Sequence, residues 1–147
     1  MYNDDYETCQ ETYATLCVYL EGVDPNEVTK RLGIKPTKVQ RKGETPDIQS
    51  KLPTALKPTA WFLSSKGQCI SKDSRRHLDF ILDQLVPKAD VLQELRQLGS
   101  KMHISCYWLS KSGHGGPTIP PEQMRRLALL DLELWFDIYF TNEEENA

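Results

Sequence analysis

From Ala14 to Glu21 apolar and polar residues alternate singly, with Ala14, Leu16, Val18 and Leu20 on one side and Thr15, Cys17, Tyr19 and Glu21 on the other. A period of two with β-branched and aromatic members predicts a strand. The period then changes: Val28 and Leu32 recur at helical spacing between Asp24-Pro25 and Gly33. An aspartate N-cap, a proline at the first position, Glu27 placed to reach back as a capping box and a glycine stop together predict a short helix. Thr37–Arg41 reads as a second strand, ended by Lys42-Gly43, and its polarity suits a sheet edge. Residues 44–59 carry Pro46, Pro53 and Pro58 without periodicity and form the longest loop. Ala60–Ser65 is the third strand.

Asp73 or Ser74 caps the next helical stretch, where Leu78, Ile81, Leu82 and Leu85 share a face. Pro87 interrupts it, and Val91, Leu92, Leu95 and Leu98 resume the pattern until Gly99, so 74–98 holds two helices or one bent one. Lys101–Ser110 alternates again, placing Met102, Ile104, Cys106 and Trp108 together. Ser112–Pro117 is a flexible loop, Pro120–Leu130 a short helix, and Leu132–Phe140 a last strand with Leu134, Phe136, Ile138 and Phe140 inward.

The order β-α-β-β-α-β-α-β places the chain in the α+β class, as a two-layer sandwich of ferredoxin-like βαββαβ order extended by a C-terminal αβ unit. Residues 1–12 are expected to be disordered or loosely attached, 13–141 to form a single α+β domain, and 142–147 to be an acidic tail. The expected core is Leu16, Val18, Leu20, Val28, Leu32, Leu63, Leu78, Ile81, Leu82, Leu85, Leu92, Leu95, Ile104, Cys106, Leu127, Leu130, Phe136 and Ile138.

Several short signatures recur in order: Leu32-Gly33-Ile34, Pro36-Thr37, Lys42-Gly43, Trp61, the helical run through Leu85 and Leu92, Ile119-Pro-Pro-Glu122, Leu127 with Leu130, and Asp137-Ile-Tyr139. In this ordered set the chain resembles the bacterial family catalogued as domain of unknown function 4279. The resemblance implies a small, stand-alone, intracellular bacterial protein without established activity, and it offers no catalytic residue to transfer.

Composition changes this picture little. The 147 residues are 39% hydrophobic and 27% charged, enough for one core. A net charge of −3 argues against a nucleic-acid coat or an anionic membrane surface and fits a basic partner. The first residues lack the basic-then-apolar order of a signal peptide, and no apolar run approaches the roughly 18 residues of a membrane span, so a cytoplasmic location is expected. Cys9, Cys17, Cys69 and Cys106 form no C-x-x-C pair and read as reduced, structural thiols. His77, His103 and His114 lack metal-ligand spacing, and no glycine-rich turn marks a cofactor, so no metal or cofactor is expected.

The suggestive feature is the second face of the sheet, which carries Tyr19, Phe62, His103, Tyr107, Trp135 and Tyr139. One helix layer covers only one face. The 44–59 loop could close over these rings, a protein or a second copy could cover them, or a pocket could lie between loop and sheet. Lys38, Arg41 and Lys42 are candidates for an anion contact, with a solvated edge strand as the plainer account. Arg75, Arg76 and His77 open a helix, where positive charge opposes the dipole. A solvated helix start explains them, and an acidic contact is the other reading. Cys17 could face His103 only if their strands are neighbours, and no catalytic residue is assigned. The resulting expectation is a non-catalytic binding domain, in concrete form an immunity-type protein neutralising a basic partner such as a bacterial toxin. The alternatives are a small-ligand receptor or enzyme and a homodimerisation module. The acidic balance and the missing glycine–aromatic signature argue against RNA stacking on the sheet.

Overall fold

A computed structural model describes residues 1–43 and 57–141 of the chain. The order is β1 (Cys9–Leu20), α1 (Pro25–Leu32), β2 (Lys38–Gln40), β3 (Thr59–Ser64), α2 (Ser74–Leu85), α3 (Ala89–Gln97), β4 (Lys101–Ser110), α4 (Pro121–Leu129) and β5 (Glu133–Phe140). The chain is thus α+β around one mixed five-stranded sheet, with spatial order β2-β3-β1-β4-β5. β1 runs antiparallel to both β3 and β4, and β5 runs parallel to β4.

Local chemistry accounts for the helix ends. Asp24 caps α1 by accepting from Asn26 N, and Gly33 closes it at φ 66°. Glu27 makes no capping box: its carboxylate takes the Arg31 guanidinium one turn on, at 2.9 Å. Asp73 caps α2, and Pro87 falls in a 3-10 turn, Val86–Lys88, that joins α2 to α3. Such a turn accepts a residue without an N–H where an α-helix interior would not.

Register fixes which side chains share a face, since residues directly opposite point the same way. Leu16 lies between Leu63 and Ile104, and Val18 between Trp61 and Met102. These residues meet Val28 and Leu32 of α1, Leu78, Ile81, Leu82 and Leu85 of α2, Leu92 and Leu95 of α3, and Leu127 and Leu130 of α4 in one buried cluster. Trp61 is fully buried in it and donates its indole N–H to Thr29 Oγ1 at 2.9 Å. A buried indole that reaches a hydrogen-bond partner adds apolar area without a desolvation penalty.

The expected core fails in one place. Phe136 is 51% exposed and Ile138 40%, and Phe140 is exposed as well. Among the described residues their strand, β5, has a neighbour on one side only. Leu134, opposite Ile104, is still half-buried and packs on the core, but Phe136, Ile138 and Phe140, opposite Cys106, Trp108 and Ser110, are exposed and do not join it.

The segment 1–12, expected above to be disordered or loosely attached, includes the first four residues of β1. It also contacts α2: Asn3 N donates to Asp73 at 2.6 Å, Arg76 pairs with Asp4 at 2.8 Å, and Tyr2 donates to Asp79. The start of α2 is therefore not simply solvated. Arg75 forks onto the buried carboxylate of Asp73, and His77 is buried. These acidic contacts are intramolecular. The 44–59 loop lies outside the described residues except for its last three positions.

Candidate aromatic face

The six ring residues singled out above all point to the sheet face opposite the helices. Cys17 is flanked by Phe62 and His103, and Tyr107 lies opposite Tyr13 on one side and Asp137 on the other. The rings form two rows across the strands. In the first, Phe62 meets Tyr19 edge-on at 6.2 Å, Tyr19 lies 5.9 Å from His103, and His103 stacks on Trp135 at 3.8 Å with planes 12° apart. In the second, Tyr13 stacks on Tyr107 at 4.6 Å, and Tyr107 meets Tyr139 at 5.5 Å. Tyr13 belongs to this face although it was not among the candidates. It continues the alternation Thr15, Cys17, Tyr19 backwards by one step, and that was the available signal.

Exposure rises towards β5. His103 is buried between its ring neighbours, Tyr19, Phe62 and Tyr107 are half-buried, and Trp135 and Tyr139 are exposed, Trp135 to 54%. Trp135 is nevertheless held: one face rests on His103, and its N–H donates to Glu133 at 2.8 Å. Burial pushes the His103 pKa down, and the Glu133 carboxylate opposes this only in part. The imidazole is therefore the neutral member of a ring stack near pH 7.

Cys17 does sit directly opposite His103. Burial pushes its thiol up to about 11, the opposite of what a thiolate nucleophile needs. Its Sγ–H points to Thr15 O at 3.8 Å rather than to the imidazole. The register that makes the Cys–His pair conceivable thus provides no activation for it.

The candidate anion contacts separate. Arg41 reaches the Asp24 carboxylate at 3.2 Å. Lys38 is exposed beside Phe62, and Lys42 lines a groove of about 560 Å³ with Lys57 and Lys101 at the end of β1. Arg41 thus serves the α1 cap while Lys42 and Lys38 look outward.

A second polar cluster had no sequence signature. His77 Nε2 donates to Ser71 O at 2.8 Å, which leaves Nδ1 to accept from the Ser65 hydroxyl at 2.7 Å, and Ala14 N donates to the same hydroxyl at 2.9 Å. Ser65 is fully buried and holds β1 to α2. The pair resembles a nucleophile and base only in composition, because the hydroxyl has no solvent path and is already shared. Among the described residues no group of three or more His, Cys, Asp or Glu is placed to hold a metal ion.

A family model described as Domain of unknown function (DUF4279) matches residues 10–141, nearly the whole chain. The chain belongs to the DUF4279 family. No curated protein and no solved structure matches it. In this DUF4279 chain the matched span runs from β1 through β5, so the aromatic face lies within the family's domain. Among its described residues no helix is long and apolar enough to cross a membrane.

Proposed function

We propose that this chain is a non-catalytic recognition module whose partner is a protein seated on the aromatic face and the β5 edge. The observation that carries this reading is β5 itself. Trp135 and Tyr139 are exposed on one face of the strand, Phe136, Ile138 and Phe140 on the other, and among the described residues its outer edge has no neighbouring strand. An apolar edge without lysine, arginine or proline lacks the usual guards against strand pairing. Such an edge suits a partner that adds a strand and places side chains on both faces. Glu133 and Asp137 are the charged residues of β5, and with the chain's net charge of −3 they favour a basic partner. An immunity-type role against a basic bacterial protein, in the cytoplasm, is the concrete form of this reading. The four unpaired thiols fit that compartment. We also infer a ferredoxin-like βαββαβ unit in β1–β4, extended by α4 and β5. The support is the strand order β2-β3-β1-β4 with β1 antiparallel to both neighbours.

The test is site-specific photocrosslinking in the source cell. A photoreactive residue at Tyr139 is expected to trap one basic protein, whereas the same group at Gln93, exposed on α3, traps none. Equal products at both positions, or none at Tyr139, would remove the reading.

A further inference from the structure

We propose that the strand-end corner of this face binds a small aromatic anion of the nucleoside-phosphate type, with its ring against Trp135 and its anionic group among Lys42, Lys57 and Lys101.

Two grooves meet at this corner. One, of about 560 Å³, is lined by Lys42, Lys57 and Lys101. The other, of about 420 Å³, is lined by Tyr19, His103 and Trp135 together with Arg96, Asp131 and Glu133, and the two share Tyr19 and Lys101, so an anionic group is directed to the lysine groove and the ring to Trp135. Each is of the size that holds one ring or one anionic group, and together they match a ligand carrying both.

The lysines here differ from the paired arginines of the protein. Arg31, Arg41, Arg75, Arg76 and Arg126 all pair with carboxylates. Among the described residues the ammonium groups of Lys42, Lys57 and Lys101 make no hydrogen bond or ion pair, and Glu21 is the one described carboxylate lining their groove. Three lysines lining one groove beside a single described carboxylate, in a chain of net charge −3, are a local exception to the overall sign. They favour a ligand bearing more than one negative charge.

The ring subsite is prepared in advance. Trp135 is fixed by His103 on one face and by Glu133 at its N–H, so stacking a ligand on its free face orders little that is not already ordered. A bare anion would leave this platform unused, and an uncharged ring would leave the lysines unused. The inference stands apart from the protein partner proposed above: it uses Trp135 but not the Tyr107, Asp137 and Tyr139 half of the face.

Trp61 and Trp108 are buried, so Trp135 is the indole that a soluble ligand reaches. The full chain is titrated with ADP at low salt, following fluorescence and heat, and with adenosine and pyrophosphate as its two halves. ADP is expected to quench Trp135 and to bind roughly tenfold or more tighter than either half, the increment of one stacked base. Trp135→Leu should lose about that factor by calorimetry. Lys42→Gln with Lys57→Gln should weaken ADP and flatten its salt dependence, the signature of lost ionic contacts. All three positions are at least partly exposed, so thermal melts should stay unchanged. The proposal is overturned if pyrophosphate binds as tightly as ADP, if ADP gives no heat at millimolar concentration, or if the lysine variant binds unchanged. A single-stranded oligonucleotide binding far tighter than ADP also overturns it, in favour of a strand ligand. Loss of ADP binding with intact crosslinking at Tyr139 would sink this inference alone.

Discussion

Gly115 has a φ of 86°, and a Cβ built there would lie 2.6 Å from Thr8 Cβ. Only glycine meets both demands, the left-handed backbone and the missing side chain. The close approach fastens the loop after β4 to the N-terminal segment, where Tyr6 also donates to Gly116 O at 2.7 Å. Gly115→Ala should therefore cost roughly 1–3 kcal/mol, read as a lower urea midpoint at unchanged slope. Gly113→Ala serves as a control with strain but no clash, and should cost less. Residue-scale facts of this kind were partly legible. Tyr13 and Trp61 could have been found by extending parity, from Tyr19 backwards and from Leu63 by two. The Ser65–His77 pair could not, because twelve residues and a turn separate the partners and neither residue type predicts burial.

At the scale of elements, alternation told which residues share a face but not whether anything covers that face. This is why β1, β4 and β5 read alike in sequence while the structure buries the helix side of the first two and leaves that of the third open. Strand position in a sheet is a non-local property: β5 is an edge because no other described strand pairs beyond it, not because of its own residues. The helix ends were legible for the opposite reason, since caps are made by residues a few positions away, and Asp24, Gly33 and Asp73 act where expected. The two classes of position should differ in energy. Leu82 is fully buried, and Leu82→Ala should cost about 2–5 kcal/mol. Phe136→Ala removes more carbon, but from a half-exposed site, and should cost less than Leu82→Ala in the same denaturation series. Equal or reversed costs would mean that β5 is covered in the isolated chain.

The whole molecule couples its two networks to acid. Burial lowers the pKa of both His77 and His103, so each is held neutral in the fold while the unfolded chain titrates near the ordinary value of about 6.5. The unfolded state then binds more protons as pH falls, and stability present above about 6.5 is lost on acidification. A second limb follows at lower pH. Burial alone would raise the Asp73 carboxyl, but the Arg75 side chain and the N–H groups of Asn3 and Arg75 outweigh it and hold it below the usual range. Asp79 behaves in the same way, with Tyr2, Gln123 and Arg126 outweighing its burial. These carboxylates contribute above the unfolded value near 3.9, and their contribution is lost below it. The histidine limb should therefore appear alone between pH 7.5 and 5.5. His103→Phe separates its two members: phenylalanine keeps a ring between Tyr19 and Trp135 but cannot be protonated. In urea melts the wild-type chain should lose stability over that interval and the variant should lose less, with the remainder assigned to His77. A variant that loses as much as the wild type would show that His103 is hydrated in solution, and the Trp135 platform would then lack the dry support on which the proposed ring subsite depends.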